Sequence, residues 1–392
     1  MQVERLFLLP RSCSKAMNVS FATMRQCGKR GDVFVRRPQK VKNIMSARTL
    51  HPLLSKVAGW GRARACLTAL ALAMGSMQAA HSAQAAEPVY PQRPVRLVVP
   101  FTPGGSTDIV ARVIADAMHS SLGQPVVVDN RSGASGLIGA EYVAHALPDG
   151  YTLGLGTIST LVVNPIMLPQ TARLDPAKAF VPVVALASIP SVFSVHPDLG
   201  VRNYSQLVAL ARSKPDLLNI GSAGMGSIGH LIADRINTDL KIKLHHIPYK
   251  GQGPVVSSAL SGETQVLSDQ YPSSAPHVAS GRLIPFAVAA QERLPNLSQV
   301  PTFKELGHPG LNHLAITWFG IVAPAGTPAP VLQKLNAAAN AALREPAVQE
   351  RLQSLGVQAL GGSPQRLSEM MEETSQAVRE TVQEQGLRPT GR

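Results

Sequence analysis

The chain has 392 residues and a formal net charge of +13, with 45% hydrophobic and 16% charged residues. So basic a chain points to nucleic acid or an anionic membrane, but the charge is local: residues 1–85 hold 14 Lys/Arg against 2 Asp/Glu, and the remaining 307 residues hold 23 against 22. The balanced remainder has no zinc-finger spacing and no basic stripe interleaved with aromatics, which argues against a nucleic-acid partner.

The basic segment reads as an export leader. Arg62 and Arg64 precede the apolar run ACLTALALAM (65–74), and small residues follow, ending in Ala83-Gln84-Ala85. That is a charged n-region, a short h-region and an A-x-A site, so cleavage is expected after Ala85. The run is shorter than the ~20 residues a membrane-spanning helix needs. Met45 is the better expected start, with 1–44 either a mis-assigned upstream extension or an unusually long leader. Cys13, Cys27 and Cys66 all precede the cleavage site, so the mature chain has no thiol for a disulfide, a metal or catalysis. No cysteine follows the apolar run to carry a lipid. A soluble exported protein is expected, periplasmic in a host with two membranes.

From Ala86 onward, strand and helix signals alternate. Strands are expected at 94–100, 126–130, 152–157, 181–189, 217–221, 243–249, 264–269, 283–289 and 318–324. Helices are expected at 107–122, 136–146, 204–213, 227–239, 253–261, 328–343 and 364–385. The alternation predicts an α/β protein with largely parallel sheets. A mature chain of this length exceeds one comfortable core, so two domains are expected.

The first loop carries the first functional signal. In PFTPGGSTDIVAR (100–112) a short β-branched strand ends in a Pro-Gly-Gly turn and opens directly into an amphipathic helix. Ser106 or Thr107 is the expected N-cap and Gly123 the expected stop. Gly104 and Gly105 either serve only the turn or leave backbone amides free for an anion at the helix N-terminus. No Gly-Lys-Ser/Thr follows and G-x-G-x-x-G is missing, so a carboxylate held by neutral donors fits better than a polyphosphate. LLNIGSAGMGSIGHLIADRI (217–236) repeats the design. Two such helix starts facing across a cleft would suit a dicarboxylate, at the strand C-termini where open α/β sheets place ligands.

Seven separated motifs then carry a resemblance: YPQRPVRLVVPFTPGGSTDIVAR, GQPVVVDNRSGASGLIGAE, PDGYTLGLGT, NIGSAGMGSIGHL, HIPYKGQGP, VPTFKELG and PAGTPAPVLQKLNAAANAAL. Together they resemble the periplasmic solute-binding proteins of tripartite tricarboxylate transporters, the Bug family, over nearly all of 90–385. The resemblance implies a two-lobed clamp of the type II periplasmic-binding class with ligand in the cleft. Its lobes would be 86–194 plus 318–392, and 195–317. It also implies a carboxylate ligand, no cofactor, no bound metal, no catalysis and a monomer. The partner would be a membrane permease, or a sensor kinase if the closed form signals instead.

By the same resemblance, Phe101, Thr102, Gly105, Ser106 and Thr107 of the first loop would hold the ligand, with Thr157, Thr160 and Asn164 from GTISTLVVNP. The other lobe would add Ser222, Gly226, Ser227 and His230, then Tyr249 and Gly251 of PYKG, and Asp269, which could receive an ammonium or hydroxyl. Alternatives stay open: Thr157 and Thr160 could satisfy local backbone, His230 could brace its loop, Tyr249 could pack, and Asp269 could cap the next segment. His245 and His246 alternate on a strand and read as structural, and Arg131 reads as an anchor for its loop rather than as the partner of a ligand carboxylate, the other role open to it. Ser268, where the family often has phenylalanine, and Gln252 after PYKG depart from the family pattern and leave the ligand open. A secreted enzyme is the competing class. It lacks support, because G-x-S-x-G and H-E-x-x-H are missing and Ser227 with His230 is a spacing common by chance.

Overall fold

The computed structural model describes residues 90–170, 174–384 and 386. The expected leader, its cleavage site and the alternative starts lie outside the described residues.

The first sheet begins with β1 (Val95–Val99), α1 (Ser106–Leu122), β2 (Val126–Asn130), α2 (Leu137–Ala144) and β3 (Thr152–Thr157). After a π-helical turn at Ser159–Val163, the long strand β4 (Phe180–Ile189) follows. The second sheet is built from β5 (Ser191–Val195), α3 (Tyr204–Ser213), β6 (Leu218–Ser222), α4 (Ile228–Leu240), β7 (Leu244–Pro248), α5 (Gln252–Leu260), β8 (Val266–Gln270), α6 (Tyr271–Ala279) and β9 (Ile284–Ala289). The chain returns through β10 (Thr317–Pro324), α7 (Ala329–Arg344), α8 (Pro346–Ser354), β11 (Gln358–Ala359) and α9 (Pro364–Glu384).

The strand orders are β11-β4-β10-β3-β1-β2 and β7-β6-β8-β5-β9. Each sheet has a parallel unit, β2-β1-β3 or β7-β6-β8. Each is extended by antiparallel strands, with β10 beside β3 and β5 beside β8. The sheets are therefore mixed rather than largely parallel. The reason is connectivity: helix-linked strands within a sheet return parallel, but β5 and β10 each enter from the other sheet, β5 directly after Pro190 and β10 after a short helix at Pro309–Leu314. Pro190 makes the first crossing by splitting the apolar run 181–195 into β4 and β5. The expected division at 194/195 falls inside β5, all of which pairs in the second sheet.

β1 is buried on both faces except at Arg96, which pairs with Asp129 at 2.8 Å. A parallel strand covered by helices needs that near-continuous apolar run. α1 lays Val110, Ile114 and Met118, all fully buried, against this sheet. Each such side chain contributes about 1.5–3 kcal/mol. Gly123 ends α1 at φ 69°, its N–H bonded to the His119 carbonyl, as the sequence predicts. Leu367, Val378 and Val382 of α9 bury into a core that contains residues of both sheets.

Candidate ligand-binding cleft

At the C-terminal end of β1 the chain turns through Phe101–Gly105. Gly104 adopts φ 84°, a conformation glycine takes without steric cost. Its N–H donates to the Asp108 carboxylate at 3.1 Å, and Arg112 donates to the same carboxylate at 2.9 and 3.1 Å. Burial pushes the Asp108 carboxyl up, but Arg112, the Gly104 amide and Asn130 outweigh it and hold the group below its ordinary value. The α1 cap is Gly105, with no side-chain hydrogen bond. This corrects the expected Ser106 or Thr107 cap. The Ser106 hydroxyl is used elsewhere: it accepts the Ser273 N–H at 3.1 Å and lies 3.2 Å from the Gln270 carbonyl, both at the start of α6. The first-turn amides of α1 are thus left without a side-chain acceptor, at the end of the helix that favours an anion.

The loop between β6 and α4 is built differently. Ser227 caps α4, its Oγ accepting the His230 N–H at 3.3 Å and donating to the Gly224 carbonyl at 2.7 Å. The Gly226 N–H donates to His230 Nδ1 at 3.2 Å. That bond assigns the His230 proton to Nε2, which faces Asp234 at 3.5 Å. The His230 ring stacks on His246 at 4.4 Å between centroids, and His246 Nε2 meets the Ser222 hydroxyl at 2.6 Å. Burial, then the neighbouring imidazoles, pushes His246 down to about 4. Burial also lowers His230, against the pull of Asp234. The second loop is braced by neutral imidazoles, so His230 holds its loop and His246 is structural.

Several contacts join the two sheets across the cleft. The Ile228 N–H donates to the Ser159 hydroxyl at 3.0 Å. The Ser135 hydroxyl donates to the Met225 carbonyl, while within the first lobe Asn164 Nδ2 holds the Ser135 carbonyl at 3.0 Å. Gly251, at φ 148°, lies against Thr102 so closely that a Cβ there would sit 2.7 Å from Thr102 Oγ1.

Between these contacts lies a cavity of about 50 Å³ lined by eighteen residues from both sheets. Phe101, Thr107, Thr157, Ser227 and Asp269, five of the expected site residues, line it. Gln252 and Ser268, the two departures from the family pattern, also line it. Thr102, Gly105, Ser106, Asn164, Ser222, Gly226, His230 and Gly251 shape the surrounding loops without lining it. Thr160 is tied to Thr157, accepting its N–H at 3.1 Å and donating to its carbonyl at 3.2 Å. The Tyr249 hydroxyl pairs with Ser258, away from the cavity. Arg131 bonds Asp129 at 2.9 Å and stacks on Tyr142, which anchors its loop. Sequence reasoning missed Ser191, Gln270, Thr317, Trp318 and Phe319, which also line the cavity. Four of them lie where β5 and β10 enter their sheets, and the proline at 190 was the available signal.

None of the eighteen lining residues is Lys, Arg or His, and Asp269 is the one carboxylate among them. Its Oδ2 accepts the Ser273 hydroxyl at 2.6 Å, while its buried Oδ1 has no hydrogen-bond partner among the described residues. Burial pushes its pKa up to about 7 against the Ser273 hydroxyl and the Gln270 amide. Buried Thr102 Oγ1 and Asn164 Oδ1 also lack partners among the described residues. Such atoms are rare in folded proteins and mark places where a ligand or water completes the bonding.

Known proteins match this arrangement. The model of the tripartite tricarboxylate transporter family receptor, TctC, matches residues 110–387. A UPF0065 protein from the tcbD-tcbE intergenic region of Pseudomonas sp. strain P51 is 37% identical over 75% of this chain and 87% of its own length. The periplasmic binding protein BugD superposes with a TM-score of 0.73 at 32% identity, over 76% of this chain and 99% of its own. Two Rhodopseudomonas palustris proteins are similarly close. Rpa4515, solved with adipate, gives 0.72 at 36% identity over 76% and 98% of the two chains. MatC, solved with bound malate, gives 0.70 at 33% over 75% and 100%. With two mixed sheets, a cleft at their strand ends and this breadth of match, the chain belongs to the TctC family of tripartite tricarboxylate transporter receptors.

Proposed function

We propose that this chain is an extracytoplasmic solute-binding protein that captures a small carboxylated metabolite and delivers it to a tripartite tricarboxylate-type membrane permease. The observation that carries the reading is the uncapped start of α1 beside a cavity whose polar lining is hydroxyls, amides and the one carboxylate of Asp269, with no cation. Such a site holds a carboxylate through oriented neutral donors. The related proteins solved with adipate and malate bind acids of that class. Charge-assisted hydrogen bonds contribute about 1.5–3 kcal/mol each. About four of them reach micromolar affinity, near −8 kcal/mol, when desolvation and closure costs stay small.

Closure is part of the function. A cavity of about 50 Å³ holds one or two waters. A four- or six-carbon diacid therefore enters only when the two sheets separate, with their lobes hinging at the crossings near Pro190 and Thr317. The ligand favours closure to the extent that it binds the closed form better, and the closed shape is what the permease would read.

The test is thermal unfolding of the purified protein against a panel of carboxylates including adipate and malate, after refolding to strip carried-over ligand. A saturable rise in melting temperature with one acid, absent in Ser227→Pro, is expected. No shift with any carboxylate overturns the reading.

A further inference from the structure

An anion site made of neutral donors has no evident use for a carboxylate, yet Asp269 lines this one and is 2% exposed. Among the described residues, no cation lines the cavity to neutralise it. β5, β6 and β10 carry no ionisable residue, and neither does α5. On α1 the nearest titratable group, Asp108, is turned to Gly104 and Arg112. On α6, Tyr271 is influenced by Asn296, and His277 by Arg282. The neutral donors near Asp269 are largely committed: the Gln252 amide to the Ser268 carbonyl at 3.1 Å, and the Ser274 hydroxyl toward the Tyr271 carbonyl at 3.5 Å. The short bond is from Ser273 to Oδ2, the Gln270 amide also favours the ionised form, and Oδ1 has no hydrogen-bond partner among the described residues. A ligand carboxylate brought beside a bare buried carboxylate would meet a like charge in a poorly screened site.

Building on the carboxylate reading above, we propose that Asp269 binds the second end of a dicarboxylate in its protonated form, Oδ1–H donating to a ligand oxygen, so that capture of the dianion takes up one proton from solvent. Ser273 then orients the acid by donating to Oδ2, and α1 holds the other carboxylate. Burial has already moved Asp269 to about 7, so the proton is available near neutrality and a second negative charge completes the shift. The site thereby selects diacids over zwitterions. An amino acid would instead offer its ammonium to an ionised Asp269 and take up no proton.

The experiment is calorimetric titration of the protein with adipate, malate and aspartate, in buffers of different ionisation enthalpy, from about pH 6 to about pH 8.5. Above about pH 7, diacid binding should take up close to one proton and weaken by up to about tenfold per pH unit. Asp269→Asn, whose amide still donates, should bind the diacid with no proton uptake and a flat pH profile. A wild-type protein that binds a diacid with flat affinity and no proton uptake overturns the proposal and leaves the carboxylate reading standing. Tightest binding of aspartate without proton uptake also overturns it. A folded protein that binds none of these acids removes both readings.

Discussion

The two glycine loops solve one backbone problem with opposite chemistry. In each, a left-handed glycine has its N–H held by a side chain four residues on, and that side chain is held by another four residues further. The first chain of contacts is Gly104–Asp108–Arg112, and the second is Gly226–His230–Asp234. An anion braces the first loop and a neutral imidazole the second. The first helix is uncapped and the second is capped by Ser227. The difference fits the proposed function: an uncapped first loop suits a ligand's acceptor, and a capped second loop suits a wall that closes over it.

Each loop also meets the opposite sheet, and breaking those meetings separates closure from binding. Gly251→Ala should have the largest effect. Its φ of 148° and ψ of 173° are nearly exclusive to glycine, and the new Cβ would stand 2.7 Å from Thr102 Oγ1 and 3.3 Å from the Thr102 amide nitrogen. The closed form loses about 1–3 kcal/mol, which lowers affinity for whichever acid the carboxylate panel identifies by about fivefold to 150-fold. Calorimetry reads the affinity, and small-angle scattering should show the variant failing to compact when acid is added. Unchanged affinity would mean that Thr102 and Gly251 do not meet in the ligand-bound form.

Exchanging the braces tests the comparison itself. His230→Leu leaves the Gly226 N–H without its acceptor and should cost about 1–3 kcal/mol in denaturant unfolding. Acid should do the same reversibly. The folded pKa values of His230 and His246 lie below the unfolded value near 6.5, so the unfolded chain binds protons that the native chain refuses. Their contribution is whole above about pH 6.5 and is lost as pH falls toward about 4. Asp108 is depressed instead, so its contribution persists to lower pH. Amide exchange should therefore show Gly226 losing protection in mild acid while Gly104 keeps it. Simultaneous loss at both amides would refute the distinction. Asp269 acts in the opposite sense. Its raised value costs stability as pH climbs from about 4 to about 7, and Asp269→Asn should flatten that limb.

The contrast also marks what the sequence could reveal. Strand–loop–helix units are local, so β1 through α2 and β6 through α5 were legible from apolar period and glycine placement. The expected leader lies outside the described residues. Two things were not legible. Sheet membership of β5 depends on Pro190 turning the chain, and an apolar run reads the same on either side of a crossing. Side-chain allegiance depends on what the other sheet brings: Ser106 looks like a cap until Ser273 arrives, and Thr160 like a ligand contact until Thr157 claims it. Trp318 and Gln270 reach the cavity only because β10 begins and β8 ends there, a fact of tertiary assembly that no local pattern carries.

The smallest expected effect is the sharpest test of free against finished helix starts. Ser227→Ala removes a cap and should cost about 1 kcal/mol of stability. Gly105→Ser is the reverse exchange. Gly105 has φ −79°, which any residue adopts, and a Cβ there would meet nothing nearer than Gln252 Cβ at 3.6 Å. The new hydroxyl can therefore cap α1 by accepting the Thr107 or Asp108 amide, adding a few tenths of a kcal/mol. The same bond withdraws an amide from the ligand. A protein slightly more stable and a poorer binder of the acid that the carboxylate panel identifies would show that the first loop is left uncapped for binding. Greater stability with undiminished affinity would mean that the amides of α1 do not hold the acid, and the first loop would be only a turn.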